Sequence, residues 1–136
     1  DQLYAGVDRA LAKIGSAKFD VLVNNAGVAD WAPWAEMSEA AFDRQFAINV
    51  KALFFSTRAV IERINDGRRV INISSIVADV AFPDILTYSA TKGAVNTLTL
   101  NFAQHLGTRG ITVNAVAPGA TRTDMSAWLN DDRCSR

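Results

Sequence analysis

Apolar residues follow two different periods along the chain. Leu3, Val7, Ala10, Leu11 and Ile14 recur with helical spacing, and the pattern stops at Gly15, which predicts a first helix ending there. Residues 19–24, 69–74 and 111–116 form short, mostly apolar runs and predict three strands. The run at 19–24 is almost continuously apolar, as in a parallel strand covered on both faces, so we expect it to be buried.

Two longer segments between these strands predict helices. Ser38 is a plausible N-cap with Glu39 in the first turn, and that helix should run to about Asn65 and end at Asp66-Gly67. The next helix should span residues 88–106, closed by a glycine. Alternating helices and strands predict the α/β class: a partial doubly wound, Rossmann-like parallel sheet in three layers, α/β/α. We expect one incomplete domain over residues 1–136.

Composition narrows the function. The chain has 14 basic and 14 acidic residues, so no patch for nucleic acid or anionic membranes is expected. No apolar stretch approaches the roughly 20 residues of a membrane span. The single cysteine, Cys134, and the single histidine, His105, argue against a disulfide, a zinc cluster or a Ser-His-Asp triad. We therefore expect no metal and a cytoplasmic, reducing location.

Tyr88 and Lys92 are the strongest candidates for chemistry. Four residues make about one helical turn, so both side chains share a helix face. A phenol has a pKa near 10 and is a poor base at neutral pH, but an adjacent ammonium favours the phenolate and lowers that pKa. Ser75, thirteen residues upstream, could polarise a carbonyl oxygen. The three predict proton transfer at a hydroxyl or carbonyl centre. A chance Tyr–Lys spacing is the alternative, and the surrounding motifs weigh against it.

Polar and aromatic residues mark three further positions. Residues 24–27, Asn-Asn-Ala-Gly, end the first strand with small and amide side chains that allow a ligand to approach; an ordinary turn is the alternative. Asn49 interrupts the apolar side of the long helix, where a buried amide needs hydrogen bonds, catalytic or merely structural. Trp31 and Trp34 lie in the loop 28–35, where they could line a substrate pocket or simply pack.

In order and spacing, these motifs resemble the catalytic portion of the short-chain dehydrogenase/reductase family. The resemblance spans residues 19–126 and includes Pro118-Gly119 and Thr123 after the third strand. It implies NAD(P)-dependent hydride transfer between a nicotinamide and an alcohol or carbonyl substrate. It also implies a homodimer or homotetramer, paired through the helices at 38–65 and 88–106.

The resemblance assigns roles residue by residue. Tyr88 would be the acid or base, Lys92 would lower its pKa and bind the nicotinamide ribose, and Ser75 would hold the substrate oxygen. Asn49 would bend its helix and hold a water in a proton relay to the lysine. The implied residues for binding NAD or NADP are Asn24, Ala26, Gly27, Tyr88, Lys92, Pro118, Gly119, Thr121 and Thr123.

The glycine-rich turn that holds the dinucleotide pyrophosphate in this family does not occur in the chain. Only eleven residues follow Met125, where the family continues. We therefore expect part of a longer polypeptide, a genuinely short protein being the alternative, and weak nucleotide binding by these residues alone. The rival functions are an inactive folding or oligomerisation module and a flavodoxin-like binding protein. The residues around Tyr88 and Pro118 are similar to those of both ketoacyl-carrier reductases and sugar or polyol dehydrogenases, so they do not identify the substrate.

Overall fold

The computed structural model describes residues 2–121, with side chains from residue 5 onward. Its principal helices and strands are, in chain order, α1 Gln2–Lys13, β1 Phe19–Asn24, α2 Glu39–Phe46, α3 Leu53–Val60, β2 Ile64–Ile73, α4 Leu86–Leu106 and β3 Thr112–Val116. A π-helical segment, Ala47–Ala52, joins α2 to α3. Ser38 caps α2 as predicted, because its hydroxyl accepts a hydrogen bond from the Ala41 N–H at 3.2 Å.

The three strands form one parallel sheet in the order β1-β2-β3. Leu22 of β1 pairs with Val70 of β2, which pairs with Val113 of β3. Because the connections are helical and the strands parallel, all three carboxyl ends meet at one edge of the sheet. The predicted α/β class with a parallel, Rossmann-like sheet is confirmed.

The long helix ends earlier than predicted. Ile64 pairs with Phe19 as the first residue of β2, so the predicted helical boundary at Asn65 and Asp66-Gly67 was wrong. The next pair in the ladder joins Val21 to Arg69, and residues 65–68 bulge out between the two pairs.

A tertiary contact explains the early end. Arg109 donates hydrogen bonds to the carbonyls of Ile61, at 3.1 Å, and Ile64, at 2.8 Å, and forms an ion pair with Asp66. These carbonyls belong to the unsatisfied end of the helical segment, and a guanidinium from 45 residues away satisfies them. Gly67 has φ +73°, so it turns the bulge in a conformation that favours glycine.

The first strand is less buried than its continuous apolar run predicted. Val21 and Val23 are half exposed, whereas Leu22 and Asn24 face α3 and α4. Side chains alternate between the faces of a strand, and within residues 2–121 the helices α3 and α4 pack on the Leu22 face. Within the described residues, the apolar run of β1 therefore has one face packed against helices and the other half exposed.

The core lies between α4 and the face of the sheet that carries Val70. Its buried members are Ile64, Val70, Leu106, Ile111 and Val113, and partly buried Phe19, Leu22, Ile61, Phe102 and Ala103 pack against them. This packing holds α4 against β2 and β3. The amino-terminal turns of α4 consequently lie beside the carboxyl edge of the sheet.

Candidate active site

Ser75 follows β2 at the carboxyl edge of the sheet and is held by its neighbours. The Ser74 N–H donates to the Val116 carbonyl at 2.7 Å, and the Ile76 N–H donates to the Pro118 carbonyl at 3.1 Å. The chain leaving β3 thus fixes the backbone on both sides of Ser75.

Tyr88 and Lys92 lie in the first two turns of α4, and the predicted triplet converges. The Ser75 hydroxyl lies close enough to the Tyr88 phenol to lower its pKa. Lys92 Nζ lies 5.4 Å from the centroid of the Tyr88 ring. Only 4% of Lys92 is exposed, and its ammonium donates to the Ile73 carbonyl at 2.7 Å. A hydroxyl, a phenol and a buried ammonium therefore meet at the end of the central strand.

The protonation of Tyr88 differs from the sequence-based expectation. Burial raises the pKa of Tyr88 above its usual value, and the hydrogen bond from Ser75 opposes this. Burial also lowers the pKa of Lys92. The i, i+4 spacing predicts that the ammonium lowers the tyrosine pKa, but Lys92 Nζ bonds a backbone carbonyl and the desolvation of the phenol dominates. Tyr88 is therefore a protonated hydroxyl at neutral pH.

Asn49 lies in the π-helical segment and is buried beside this triplet. Its Oδ1 accepts from the Val28 N–H at 2.8 Å, and its Nδ2 donates to the Val28 carbonyl at 2.8 Å and to Thr91 Oγ1 at 3.0 Å. Single π turns inside helices frequently occur at functional sites. We call Val28, Asn49, Thr91 and Lys92 the site network.

Gly27 lies against this network. A methyl group at Gly27 would lie 3.6 Å from Lys92 Nζ and 3.5 Å from Asn49 Oδ1. An ammonium has three donors, and within residues 2–121 Lys92 uses one of them, on Ile73. A buried cation beside a residue with no side chain fits the ribose hydroxyls of a nicotinamide cofactor.

The other predicted cofactor residues occupy varied positions. The side chain of Asn24 makes its hydrogen bonds within the fold. Its Nδ2 donates to Thr57 Oγ1 at 2.9 Å and to Asn72 Oδ1 at 2.8 Å. Asn72 Nδ2 in turn donates to Thr99 Oγ1 at 2.9 Å. We call Asn24, Thr57, Asn72 and Thr99 the sheet network.

The remaining cofactor predictions fall on the loops that follow β1 and β3. Ala26 is exposed just after β1, Pro118 accepts the bond from Ile76, and the Gly119 carbonyl accepts from Thr121 Oγ1 at 3.2 Å. Thr123 lies outside the described residues.

Two buried side chains of the site were missed in the sequence. Thr91 bonds Asn49, and Gln45, fully buried, accepts from the Asp30 N–H at 3.3 Å. Gln45 lies four residues before Asn49 and therefore on the same helix face, a polar pair that could have been noticed. Thr91 lies inside the Tyr-to-Lys segment, but nothing local indicates a partner 42 residues away.

Residues 2–121 hold no group of three or more His, Cys, Asp or Glu side chains that could bind a metal ion. Among these same residues, no helix is both long and apolar enough to cross a membrane.

Comparison with known proteins agrees with the motifs. The short chain dehydrogenase family matches residues 1–133. The short chain dehydrogenase/reductase AacuN of Aspergillus aculeatus is 41% identical over 120 residues, which cover 88% of this chain and 45% of that protein. Carbonyl reductase [NADPH] 2 of Sus scrofa is 37% identical over 133 residues, covering 95% and 53%. The chain spans about half the length of the curated relatives it matches.

Solved structures agree with the fold. The angucycline C-6 ketoreductase LanV with bound NADP superposes with a TM-score of 0.89 at 41% identity, covering 97% of this chain and 51% of LanV. LanV with bound NADP and rabelomycin gives a TM-score of 0.82 at 44% identity, covering 86% and 48%. By its sequence match and by its fold, this chain belongs to the short-chain dehydrogenase family.

Proposed function

We propose that this chain carries the catalytic residues of an NAD(P)-dependent oxidoreductase that interconverts a small-molecule ketone or aldehyde and its alcohol. The observation that carries the proposal is the convergence of the Tyr88 phenol, the buried ammonium of Lys92 and the Ser75 hydroxyl, which influences the pKa of the phenol. These groups come from the end of β2 and from α4, so the fold itself brings them together. NADP or NADPH in the solved structures of relatives supports the cofactor class.

The side chains have distinct tasks in carbonyl reduction. Ser75 donates a hydrogen bond to the substrate oxygen and stabilises its developing negative charge. Tyr88 gives its proton to that oxygen while the carbonyl carbon accepts a hydride, and the π electron pair of the carbonyl ends on the oxygen. A protonated Tyr88 is the form that burial favours. The Lys92 ammonium stabilises the phenolate that remains, and Asn49 belongs to the relay that returns a proton.

Lys92, Tyr88 and Gly27 would hold the nicotinamide ribose. Ala26 and the backbone of Asn24, whose side-chain amide is bonded within the fold, would lie on the adenosine side. Pro118, Gly119, Thr121 and Thr123 would lie toward the nicotinamide. When bound, the reduced cofactor supplies the hydride. The chain's own contribution is the close approach that Gly27 allows and the buried charge that Lys92 presents.

Turnover of a ketone panel with NADH or NADPH tests the proposal in the protein that carries this sequence. The reduced cofactor should be oxidised only when a ketone is present. Ser75→Ala should lower kcat/KM strongly, by about 10²-fold, because it removes a donor to the charge that develops in the transition state. Ser56→Ala is the matched control, since Ser56 lies on α3 and bonds Asn24. A Ser75→Ala protein with wild-type kcat/KM would contradict the assignment.

A second role, assembly, is favoured by an apolar groove on α2, α3 and α4. The groove measures about 520 Å³ and is lined by Asp43, Phe46, Ala47, Val50, Lys51, Phe54, Phe55 and Leu98. Phe55 is exposed and holds the Arg58 guanidinium 4.8 Å from its ring centroid. A homodimer or homotetramer should form through this groove.

Light scattering coupled to size exclusion tests the assembly role. Phe55→Lys should yield a smaller species, because a charge then replaces an apolar contact, and an unchanged mass would contradict it. Assembly without turnover would favour the inactive-module alternative. A cytoplasmic location remains a prediction.

A further inference from the structure

The loops that follow β1 and β2 carry aromatic residues, and the second of these loops leads from Ser75 to the start of α4. Trp31 lies in the first loop and Phe82 in the second, and their rings meet edge to face with centroids 6.4 Å apart and planes at 85°. The Ala32 N–H donates to the Asp84 carbonyl at 2.9 Å, so the backbones of the two loops are joined as well. We call Trp31, Trp34 and Phe82 the aromatic wall.

The loop that carries both tryptophans is anchored at alternate residues. Val28 is held by both polar atoms of the Asn49 amide, and the Asp30 N–H donates to Gln45. The Asp30 carboxylate receives two hydrogen bonds from Arg44, at 2.8 and 2.9 Å. Ala32 is the third anchored position, through Asp84. Because this backbone is already fixed, a ligand that packs on these rings does not have to order the loop, and the entropic cost of binding is small.

The wall stays accessible next to the start of α4. Trp34 is 79% exposed, and Trp31 and Phe82 are both more than two-fifths exposed. A cleft of about 360 Å³ runs from Trp34, Met37 and Phe42 to Leu86 and Thr87, which directly precede Tyr88. This volume falls in the range of small-molecule sites, about 300–1,000 Å³.

The charge around the wall disfavours anionic substrates, since Arg44, the cation that bonds the first loop, is paired with Asp30. No lysine or arginine occurs in residues 19–43 or 70–91, whereas Glu36, Asp79 and Asp84 add negative charge to the loops. Recognition of a phosphate or carboxylate calls for Arg or Lys donors. A thioester on coenzyme A or on an acidic carrier protein brings several such anions and would be repelled.

We propose that the substrate is a neutral, ring-bearing ketone, or the corresponding secondary alcohol, whose ring packs against the aromatic wall. This rests on the proposed hydride-transfer function. The ketone gains a hydride at carbon and the Tyr88 proton at oxygen, the reduced nicotinamide is oxidised, and no other reactant is required. The proposal selects against acyl thioesters as substrates.

Kinetics and binding of 1-tetralone, a neutral bicyclic ketone, test the proposal against acetoacetyl-coenzyme A. Trp34→Ala should raise KM for 1-tetralone about two- to tenfold, the range for loss of one aromatic contact, with kcat little changed. Ile14→Ala is the matched control, because Ile14 is 73% exposed and follows α1, and it should change nothing. Calorimetric binding of 1-tetralone is measured alongside turnover.

Each outcome separates the two proposals. Binding of 1-tetralone that Trp34→Ala weakens, without oxidation of NADH or NADPH, would keep the substrate class and defeat the hydride-transfer function. Turnover with a higher kcat/KM for acetoacetyl-coenzyme A, or an unchanged KM for 1-tetralone in Trp34→Ala, would overturn the substrate class and keep the function.

A second inference comes from the hydrogen bonds of Thr91, which is fully buried on α4. Its hydroxyl donates its only hydrogen to the Tyr88 carbonyl at 2.7 Å. Thr91 Oγ1 can therefore only accept from Asn49, at 3.0 Å, which supports the same orientation of the Asn49 amide that the two bonds to Val28 require. In that orientation Oδ1 meets the Val28 N–H.

We infer that Thr91 is a positioning residue for Asn49 in the proposed reaction. The α4 helix offers a matched control, Thr99, which is 5% exposed. Its hydroxyl accepts from Asn72 Nδ2 at 2.9 Å and donates to the Val95 carbonyl at 2.8 Å. Thr91 and Thr99 thus make the same two kinds of bond, and only Thr91 does so beside Tyr88 and Lys92.

Comparison of Thr91→Val with Thr99→Val tests the inference. Both should lower Tm to a similar extent, because each leaves a buried amide donor unpaired. Below those Tm values, Thr91→Val should lower kcat about tenfold or more at unchanged substrate KM, as expected for misplaced groups, whereas Thr99→Val should keep wild-type kcat. Thr91→Ser should restore kcat. Equal kcat values for the two valine variants, or failure of Thr91→Ser to restore it, would overturn the inference.

Discussion

The sheet network and the site network both contain bonded asparagine and threonine side chains, but only the site network includes a buried charge. In the sheet network, Asn24 donates to Asn72 and to Thr57 of α3, Asn72 donates to Thr99 of α4, and the bonds close within the fold. In the site network, Asn49 donates to Thr91, which donates to the Tyr88 carbonyl. The buried Lys92 ammonium beside them bonds the Ile73 carbonyl and has further donors to offer a ligand. Closed bonds stabilise a fold, whereas a buried charge with unused donors costs stability and marks a binding site.

The largest expected effect falls on Tyr88, whose carbonyl Thr91 of the site network bonds. Tyr88→Phe removes the proton donor and leaves the ring in place, so turnover should fall about 10²- to 10⁴-fold. The free energy of unfolding should change little, because the ring keeps its packing and, within residues 2–121, Ser75 is the side chain that influences the phenol hydroxyl. Steady-state kinetics and urea unfolding of the same preparation measure both effects. A Tyr88→Phe protein with near wild-type kcat would show that the comparison misassigns the catalytic region.

A substitution in the sheet network should instead lower the stability of the fold. Asn72→Leu removes the acceptor of Asn24 and the donor to Thr99 at a fully buried position, and should lower the free energy of unfolding by about 1–3 kcal/mol. Asn101→Leu is the control, because Asn101 is exposed on α4 and bonds only the helix carbonyl of Thr97. Urea titrations compare the two. Equal losses of stability in both variants would mean that the sheet network contributes nothing particular.

The sequence indicated both networks only in part. The register of Ser75, Tyr88 and Lys92 follows from strand and helix patterns, because it depends on spacing within about 20 residues. The Asn49–Thr91 bond and the bonds of Arg109 to Ile61 and Ile64 join residues more than 40 positions apart, and no local pattern contains them. The early end of the helix at Arg63 was missed for that reason.

Protonation was the other point that spacing could not predict. An i, i+4 lysine indicates a lowered tyrosine pKa, but burial raises the pKa of Tyr88, and burial is a property of the packed fold. The half exposure of Val21 and Val23 has the same origin. An apolar run indicates a strand but does not reveal which helices cover each face.

The pH dependence sharpens the difference between the networks. Reduction needs a protonated Tyr88. The kcat for reduction should therefore stay level through neutral pH and fall only as the pH rises through the raised pKa of Tyr88. The kcat for alcohol oxidation should rise over that same pH range. Ser75→Ala removes the hydrogen bond that lowers this pKa and should move both limbs to higher pH. Ser56→Ala should move neither. If the pH profile of Ser75→Ala moved to lower pH, Ser75 would not lower the pKa of Tyr88.

The pKa shifts of Tyr88 and Lys92 also determine how the stability of the fold depends on pH. The raised pKa of Tyr88 gives stability that is present below the unfolded value, about 10, and lost as pH rises through the folded pKa. The lowered pKa of Lys92 acts in the opposite direction, because neutralising a buried ammonium relieves its desolvation. Chemical unfolding of Lys92→Met should therefore show higher stability than wild type at neutral pH and a smaller difference at alkaline pH.

The smallest expected effect separates stability from binding at a single methyl group. Gly27→Ala places a carbon in ordinary contact with Lys92 and Asn49, and Gly27 does not have the positive φ that would strain alanine. Stability should rise by about 0.4–1 kcal/mol through the unfolded state, while KM for NADPH rises because the added methyl fills the approach to Lys92. Gly6→Ala, in α1 with open space around it, should add similar stability and leave that KM unchanged. If Gly27→Ala kept the wild-type KM for NADPH, the cofactor would not approach through Gly27, and the site network would be as closed as the sheet network.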